Sequence, residues 1–300
     1  MWADSITTEE VEQTLRAADQ LSGVPWAGPL LGRTKPILDR LRLGLANRES
    51  YRSNPLKPPE MSLLFEVRFA RALSDSKITA EYEHGAGVGN TTIDFRVNLD
   101  PPWLVELVSL HESEAFRKAT GRASPLEGVV VEGFVLSTNA EDPRQSEEGE
   151  MLKAQERIGN KVFEQGRGPI KFPAPNGAIH MLMVDARGYL GTGHGDNTDW
   201  RQIAYGPRGV IREEQHFIKF WTNPKTRQRE PIMGLFEPGC PLPASRIAQE
   251  RLHIIGFISE GSYEAGEIKE QTFYCYNPAL FGEEQDARTA LSHWPLWRTA

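Results

Sequence analysis

The chain has 300 residues, of which 39% are hydrophobic and 25% are charged, an ordinary globular composition that provides a sizeable core. A formal net charge of −7 excludes a protein that is positive over its whole surface, but it leaves room for a local basic groove. Two cysteines, Cys240 and Cys275, are too few for a disulfide framework or a zinc knuckle. With no apolar run of membrane-spanning length and an acidic amino terminus, we expect a cytoplasmic protein without a membrane partner.

The first 57 residues predict a helical segment that is partly basic. Thr7 and Glu10 have the spacing of a capping box, and apolar residues at helical spacing continue to Leu21. From Arg33 to Lys57 the basic residues outnumber the acidic ones. This run predicts either a solvated helix face or an arm that contacts phosphates.

A helix predicted for residues 59–73 turns one acid towards the core. At about 100° per residue, Glu66 lies between Leu63 and Ala70 on the apolar side, whereas Arg68 projects the opposite way. An inward glutamate is costly unless a cation meets it. Glu66 is therefore either paired with a buried basic residue or part of a functional site.

Two predicted strands joined by a proline-rich turn carry one acid each. Residues 92–97 alternate between polar and apolar, and Asp94 lies on the polar face. Residues 104–110 are nearly all apolar, yet Glu106 shares a face with their core residues. Because an ionised carboxylate is expensive to bury without a partner, two such acids on adjacent strands indicate a metal site.

A second helix, predicted for residues 150–165, places Gln165 near the middle of its apolar stripe and Lys161 at the border. A lysine at such a border either snorkels at the rim of the packed face or directs its charge towards a site. The remaining predicted strands are residues 78–83, 128–136, 178–186, 214–221, 253–258 and 272–276.

In this order, the helix with Glu66, the strands with Asp94 and Glu106, a further helix and the strand at 178–186 resemble the core of the PD-(D/E)xK nuclease superfamily. The resemblance covers about residues 58–190. It implies an α/β fold of the restriction-endonuclease-like type, in which helices flank a mixed central sheet, here with an N-terminal helical segment.

The implied organisation has three parts. Residues 1–57 form the N-terminal helical segment, and residues 58–280 form the nuclease-like domain with an insertion at about 188–250. Residues 281–300 form a C-terminal tail. Its apolar cluster at 293–297 either docks on the body or forms an interface.

In the family, the acids corresponding to Asp94 and Glu106 bind magnesium beside the scissile phosphate, and a helical acid, here Glu66, often completes the acidic cluster. The backbone carbonyl of Leu107 is the further expected ligand. Hard oxygen ligands of this kind suit Mg²⁺ or Mn²⁺ better than zinc.

The chain departs from the family pattern at Val108, where a lysine is expected. Members of the superfamily supply the missing cation or amide from the following helix, and Lys161 with Gln165 matches such a K-x-x-x-Q arrangement. The catalytic residues that the resemblance implies are Glu66, Asp94, Glu106, Lys161 and Gln165.

The resemblance thus implies a metal-dependent endonuclease or exonuclease that hydrolyses phosphodiester bonds, in restriction or defence. Its partner is nucleic acid, with DNA favoured over RNA, and a homodimer or a protein partner is a further candidate assembly. Because Val108 can neither orient nor deprotonate water, the alternative is a catalytically inactive nuclease-like module that binds nucleic acid or a protein.

Overall fold

The computed structural model describes residues 8–46, 58–86, 88–122, 134–136, 144–191, 195–222, 227–261, 263 and 266–298. The helices are α1 (Thr8–Leu21), α2 (Gly28–Ala46), α3 (Pro58–Asp75), α4 (Glu114–Ala119), α5 (Glu147–Gly159), α6 (Asn197–Tyr205), α7 (Pro243–Arg251), α8 (Glu267–Glu270), α9 (Pro278–Phe281) and α10 (Glu284–Ser292). The strands are β1 (Ala80–Gly85), β2 (Thr92–Val97), β3 (Trp103–His111), β4 (Thr120–Arg122), β5 (Phe134–Leu136), β6 (Phe163–Glu164), β7 (Gly168–Pro169), β8 (Ile179–Gly188), β9 (Phe220–Thr222), β10 (Arg229–Pro231), β11 (Ile254–Ile258) and β12 (Thr272–Tyr276).

Six strands form the central sheet in the order β1-β2-β3-β8-β11-β12. β2 runs antiparallel to both β1 and β3, the strands β3, β8 and β11 are parallel, and β12 is antiparallel to β11. The predicted α/β class is confirmed, with its mixed central sheet flanked by helices and its N-terminal helical segment. The proposed domain limits stay predictions.

The sheet separates two apolar layers. On one face, α1, α2 and α3 share an apolar cluster with Val105 and Leu107 of β3. On the other face, α5, α6 and α7 share a cluster with Leu104 and Val108. Because successive side chains of a strand point to opposite faces, Glu106 enters the second layer, on the side of α5.

The end of the chain docks on the first layer. Trp294 and Leu296 are buried in its apolar cluster. The ring of Trp294 stacks on that of Trp103, with 4.7 Å between the centroids. The apolar residues near the carboxyl terminus therefore contribute to the core, which is the docked one of the two arrangements that the sequence left open.

Helix α5 begins and ends earlier than the helix predicted for residues 150–165. Its amino end is capped by the hydroxyl of Ser146, which accepts the N–H of Gly149, and glutamates in the first turn suit the helix dipole. The helix ends at Gly159, with Asn160 as its cap. Glycine and asparagine are common residues at a helix end, and they form a stop signal that the spacing of the apolar residues does not contain.

The prediction for residues 214–221 is wrong in type. Arg212–Phe217 forms a 3₁₀ helix, and β9 begins only at Phe220. No side chain of that 3₁₀ helix is buried, so the segment lacks the inward face that a strand of the sheet needs. Thr7 and residues 47–57, 128–133 and 137–143 lie outside the described residues. Across the described ranges, no helix combines the length and the apolarity needed to cross a bilayer.

The described basic residues of α2 all have acidic partners. Their ion pairs are Arg33–Glu83, Lys35–Asp39, Arg40–Glu60 and Arg42–Asp19. Exposed pairs of this kind contribute little stability and hold the charges at the surface. In the described part of the predicted basic run, the pairing favours the solvated helix face over a free phosphate-contacting arm.

The helical position of Arg68 predicted that it projects away from the core. This prediction is wrong. Helix α1 packs against α3, and Arg68 is buried between Glu10 of α1, at 3.3 Å, and Glu260, which follows β11, at 3.2 Å. Arg187 at the end of β8 also pairs with Glu10. The ring of Tyr263 lies 5.0 Å from the guanidinium carbon of Arg68. These charges tie α1 and α3 to the ends of the central strands.

Removing Arg68 is expected to destabilise the protein strongly. Arg68→Ala leaves Glu10 and Glu260 buried without this cation, which should lower the free energy of unfolding by about 3–5 kcal/mol. Arg71→Ala on the same helix removes an arginine whose ion pair with Asp75 is partly exposed, and should cost less than about 1 kcal/mol. Urea unfolding monitored by circular dichroism measures both. Similar losses in the two variants would contradict a stabilising role for the buried network.

Candidate functional site

Strands β2 and β3 separate part-way along their length. Their paired register ends at Phe95 and Val105, and the next residue on each strand is an acid, Asp94 on β2 and Glu106 on β3. Here the carboxylates of Asp94 and Glu106 accept hydrogen bonds from backbone N–H groups of the opposite strand. The N–H of Leu107 donates to Asp94 Oδ2 at 2.7 Å, and the N–H of Asp94 donates to Glu106 Oε2 at 3.3 Å. The two predicted acids therefore meet in one gap.

Two lysines converge on Glu106, whose side chain is fully buried. Lys161 Nζ lies 2.8 Å and Lys171 Nζ lies 3.2 Å from Glu106 Oε1. Lys171 also donates to the carbonyl of Thr92 at 2.8 Å. The buried carboxylate is thus compensated by two ammonium groups, as a buried charge requires.

The turn after α5 places Lys161. Its backbone N–H donates to the carbonyl of Ile158 at 3.1 Å, so the chain keeps turning beyond the end of the helix. Helix α7 fixes that end, because a Cβ on Gly159 would lie 2.7 Å from the Cβ of Ala244. Of the two alternatives for Lys161, its contact with Glu106 agrees with a side chain that directs its charge towards a site.

Gln165 is not part of this arrangement. It is exposed in the turn between β6 and β7, where the chain has left the helix. The one-turn spacing of Lys161 and Gln165 would bring them to one helix face only if α5 continued, and it ends at Gly159. The expectation that Gln165 faces the core is therefore wrong.

Lys171 was missed by the sequence analysis. It lies between β7 and β8, in a left-handed conformation with φ of 62°, and its backbone N–H donates to Thr91 Oγ1 at 3.3 Å. Phe172 beside it is buried. No periodic pattern marks a lysine in such a connection, so only the three-dimensional path of the chain brings it to the acids.

Glu66 faces the core from α3, as predicted, and two residues unnoticed in the sequence hold it. The hydroxyl of Tyr82 donates to Glu66 Oε2 at 2.6 Å, and Arg33 in turn donates to that hydroxyl at 2.8 Å. Burial raises the pKa of Glu66, while Tyr82, Arg33 and Lys161 act in the opposite direction. Nearby Glu106 adds to the rise.

The crowding of acids shows most clearly at Asp94. Burial, followed by the charges of Glu106 and Glu66, raises the pKa of Asp94 to about 8, although Lys161 and the N–H of Leu107 favour its ionised form. At Lys161 burial disfavours the charge, but the three carboxylates outweigh burial and raise its pKa. Lys161 therefore stays protonated at neutral pH, while burial and the neighbouring acids favour the protonated form of Asp94.

The donor atoms suit a hard cation. Asp94 Oδ1 has no hydrogen bond from the described residues, and Glu106 adds a second carboxylate. Leu107 turns its N–H into the gap, and in a regular strand the carbonyl of the same residue projects to that side. Two carboxylates and a carbonyl are ligands that Mg²⁺ or Mn²⁺ accept beside water and substrate oxygens. In the described ranges, however, no three Asp, Glu, His or Cys side chains are spaced to hold a metal ion unaided.

Comparison of the chain with models of protein families, with curated proteins and with solved structures finds no match. The function therefore has to be inferred from the residues in the gap. These are two acids from neighbouring strands, a third acid from α3, and two lysines from connections on the other side of the sheet.

Proposed function

We propose that the chain is a metal-dependent nuclease that hydrolyses phosphodiester bonds of nucleic acid. The observation that carries the proposal is the meeting of Asp94, Glu106 and Lys161 in the gap between β2 and β3. Two carboxylates can hold a divalent cation, and an adjacent ammonium can stabilise the negative charge that develops on a phosphate under attack.

The order of the elements supports a restriction-endonuclease-like fold for this site. An antiparallel β1-β2-β3 unit carries both acids, and the chain returns through α5 to β8, which is parallel to β3. Lys161 lies on that return connection. This is the order of acid-bearing strands, helix and buried strand that the sequence resemblance implies.

Asp94 and Glu106, with the Leu107 carbonyl, would hold Mg²⁺ or Mn²⁺, and Glu66 would add negative charge behind them. When bound, the ion would act as a Lewis acid on the phosphate and lower the pKa of the attacking water. Lys161 then stabilises the charge of the transition state. Its ammonium is held at 2.8 Å from Glu106 and is protonated at neutral pH.

Lys161 and Lys171 together supply the charge that Val108 cannot. Val108 is two residues after Glu106 and is buried in the apolar second layer. Lys171 is tied to the Thr92 carbonyl as well as to Glu106, which suits it to orient the carboxylate. In this assignment Lys161 contacts the substrate and Lys171 is a positioning residue.

A cleavage assay tests the proposal. We expect the purified chain to cut DNA, and to a lesser extent RNA, with Mg²⁺ or Mn²⁺ but not with EDTA. Asp94→Ala should reduce the rate by about 10²–10³-fold or more. Glu81→Ala, which removes an exposed carboxylate from β1, should leave the rate unchanged. Closed circular and linear DNA side by side distinguish endonuclease from exonuclease action.

Two outcomes would overturn the proposal. Cleavage by Asp94→Ala at the wild-type rate would show that the acids of the gap take no part in the reaction. Binding of nucleic acid without cleavage in either metal would instead support the catalytically inactive nuclease-like module.

A further inference from the structure

A large open groove lies along the edge of the sheet that is farthest from β1. It has a volume of about 960 Å³ and runs beside β12, between α6 and the carboxyl-terminal residues. Phe273 and Tyr276 of β12, together with Trp297, give it partly exposed aromatic walls. The groove is separated from β3 by two intervening strands, β8 and β11, and it shares no residue with the candidate site.

The floor of the groove is an unpaired strand edge. In the described part of the chain, β12 pairs only with β11. The N–H of Asn277 bonds to the carbonyl of His253, and the carbonyl of Gln271 receives the N–H of Ser259. Since alternate residues of an antiparallel strand turn both backbone groups to one side, Thr272, Tyr274 and Tyr276 direct theirs into the groove.

The outward groups of Thr272 and Tyr274 suit a further strand. The carbonyl of Tyr276 confirms the direction, because it accepts a hydrogen bond from the Tyr205 hydroxyl of α6, at 2.8 Å. An edge with alternating donors and acceptors binds an extended peptide by strand addition. A phosphate backbone offers no N–H donors with which to continue that ladder.

The charge of the groove differs from that of the whole chain. The chain has 41 acidic and 34 basic residues. In the lining of the groove the balance is reversed, with five basic side chains against three acidic ones. The basic ones are Arg201, Arg208, Lys269, Arg288 and Arg298, and the acidic ones are Glu237, Glu270 and Glu284. Charge complementarity therefore favours an acidic occupant and disfavours a second copy of the same basic face.

Two ion pairs of the groove are long enough to exchange. Arg208 lies 3.6 Å from Glu237, and Arg298 lies 3.7 Å from Glu270, and both arginines are largely exposed. Lys269 makes no ion pair or hydrogen bond with the described residues. Long ion pairs made by exposed arginines contribute little, so an incoming carboxylate can replace these contacts at small cost.

We propose that this groove binds an extended acidic segment of another protein, which adds as a strand to β12. Backbone hydrogen bonds to Thr272 and Tyr274 align the segment. Arg208, Lys269 and Arg298 pair with its carboxylates. The proposal is independent of the nuclease function, because none of these residues contributes to the gap between β2 and β3.

Fluorescence anisotropy with a labelled peptide of about eight alternating Glu and Val residues, a typical strand length, tests the proposal. We expect saturable binding by the full chain. The double variant Arg208→Glu with Arg298→Glu should bind at least about 10-fold more weakly. A 10-fold loss of affinity corresponds to about 1.4 kcal/mol, to which each of the two lost charge contacts contributes. A peptide with N-methyl groups on alternate residues keeps its charge but lacks ladder donors, and should lose binding to the wild-type chain.

The control variant is Arg246→Glu with Arg167→Glu. The side chain of Arg208 is 84% exposed and that of Arg246 is 86% exposed. The corresponding values for Arg298 and Arg167 are 67% and 64%. This control changes the net charge equally outside the groove and should leave peptide affinity unchanged.

Four outcomes would overturn the proposal. Equal affinity for the N-methylated peptide would exclude strand addition, and absence of saturable binding up to millimolar peptide would exclude an acidic peptide ligand. Metal-free binding of oligothymidylate that the Arg208→Glu, Arg298→Glu variant loses would assign the groove to nucleic acid. A dimer in light scattering that the same variant abolishes would assign it to a second copy of the chain.

Discussion

Lys161→Met is expected to reduce phosphodiester cleavage by about 10³-fold, within the range for loss of a group that stabilises charge in the transition state. Methionine keeps the length of the side chain but removes the ammonium that lies 2.8 Å from Glu106 Oε1. The loss should appear mainly in kcat, since the charge acts on the phosphate as it reacts. Single-turnover cleavage at saturating Mg²⁺ measures it.

Lys171→Met is expected to have a smaller effect, about 10–100-fold. Lys171 shares its ammonium between Glu106 and the carbonyl of Thr92, so it orients the carboxylate. Loss of orientation weakens binding of the divalent ion, and higher Mg²⁺ should restore part of the rate of this variant. Extra Mg²⁺ should restore none of the activity of Lys161→Met.

Lys153→Met supplies the matched control. Lys153 is on α5, but its ammonium pairs with Glu156 at the surface, so its removal should leave cleavage unchanged. Equal losses in Lys161→Met and Lys171→Met, with the same Mg²⁺ dependence, would contradict the division of roles. Full activity of Lys161→Met would remove this lysine from the mechanism.

Asp94→Asn is expected to stabilise the metal-free protein at alkaline pH. The pKa of Asp94 rises from 3.8 to about 8 through burial and the nearby acids. Between these values the unfolded chain releases a proton that the folded chain retains, so the free energy of unfolding falls as the pH rises from about 4 to 8. Asparagine avoids this loss and should be about 2–4 kcal/mol more stable than the wild type at pH 9.

Urea unfolding in EDTA at pH 4.5 and 9 measures the effect. The advantage of Asp94→Asn should be small at the lower pH and largest at the higher one. Glu81→Gln, which neutralises an exposed carboxylate of β1, should show no such trend. If Asp94→Asn has no advantage at pH 9, burial and the nearby acids do not raise the pKa of Asp94 as described.

Magnesium should reverse the alkaline loss of stability in the wild type. A ligand that binds only the folded state raises the melting temperature, and a cation binds best to the deprotonated carboxylate. We expect Mg²⁺ to raise the melting temperature of the wild type more at pH 9 than at pH 6, and to have little effect on Asp94→Asn.

Local patterns predicted the six strands of the central sheet well. The limits of residues 92–97 and 272–276 agree with β2 and β12. Alternation with a period of two is a property of adjacent residues, and the proline-rich turn between the two segments indicated that Asp94 and Glu106 lie on neighbouring strands. The separation of β2 and β3 at these acids was not predictable from the sequence. It depends on hydrogen bonds between the side chains of one strand and the backbone of the other.

The lysines show where local patterns fail. Lys161 was expected at the acids because of a helix that continues to residue 165, yet the helix ends at Gly159 and a turn brings the lysine there. Lys171 has no periodic signal at all. The burial of Arg68 depends on how α1 packs over α3, a contact that no pattern within α3 encodes.

The close approach of α5 and α7 at Gly159 makes the site sensitive to a residue that has no chemistry of its own. Alanine at this position would press its methyl group against Ala244, at 2.7 Å, and shift the end of α5. Lys161 follows two residues later, so the shift would move its ammonium away from Glu106. Substitutions at the contact between α5 and α7 therefore change the position of Lys161, although neither helix contains this lysine.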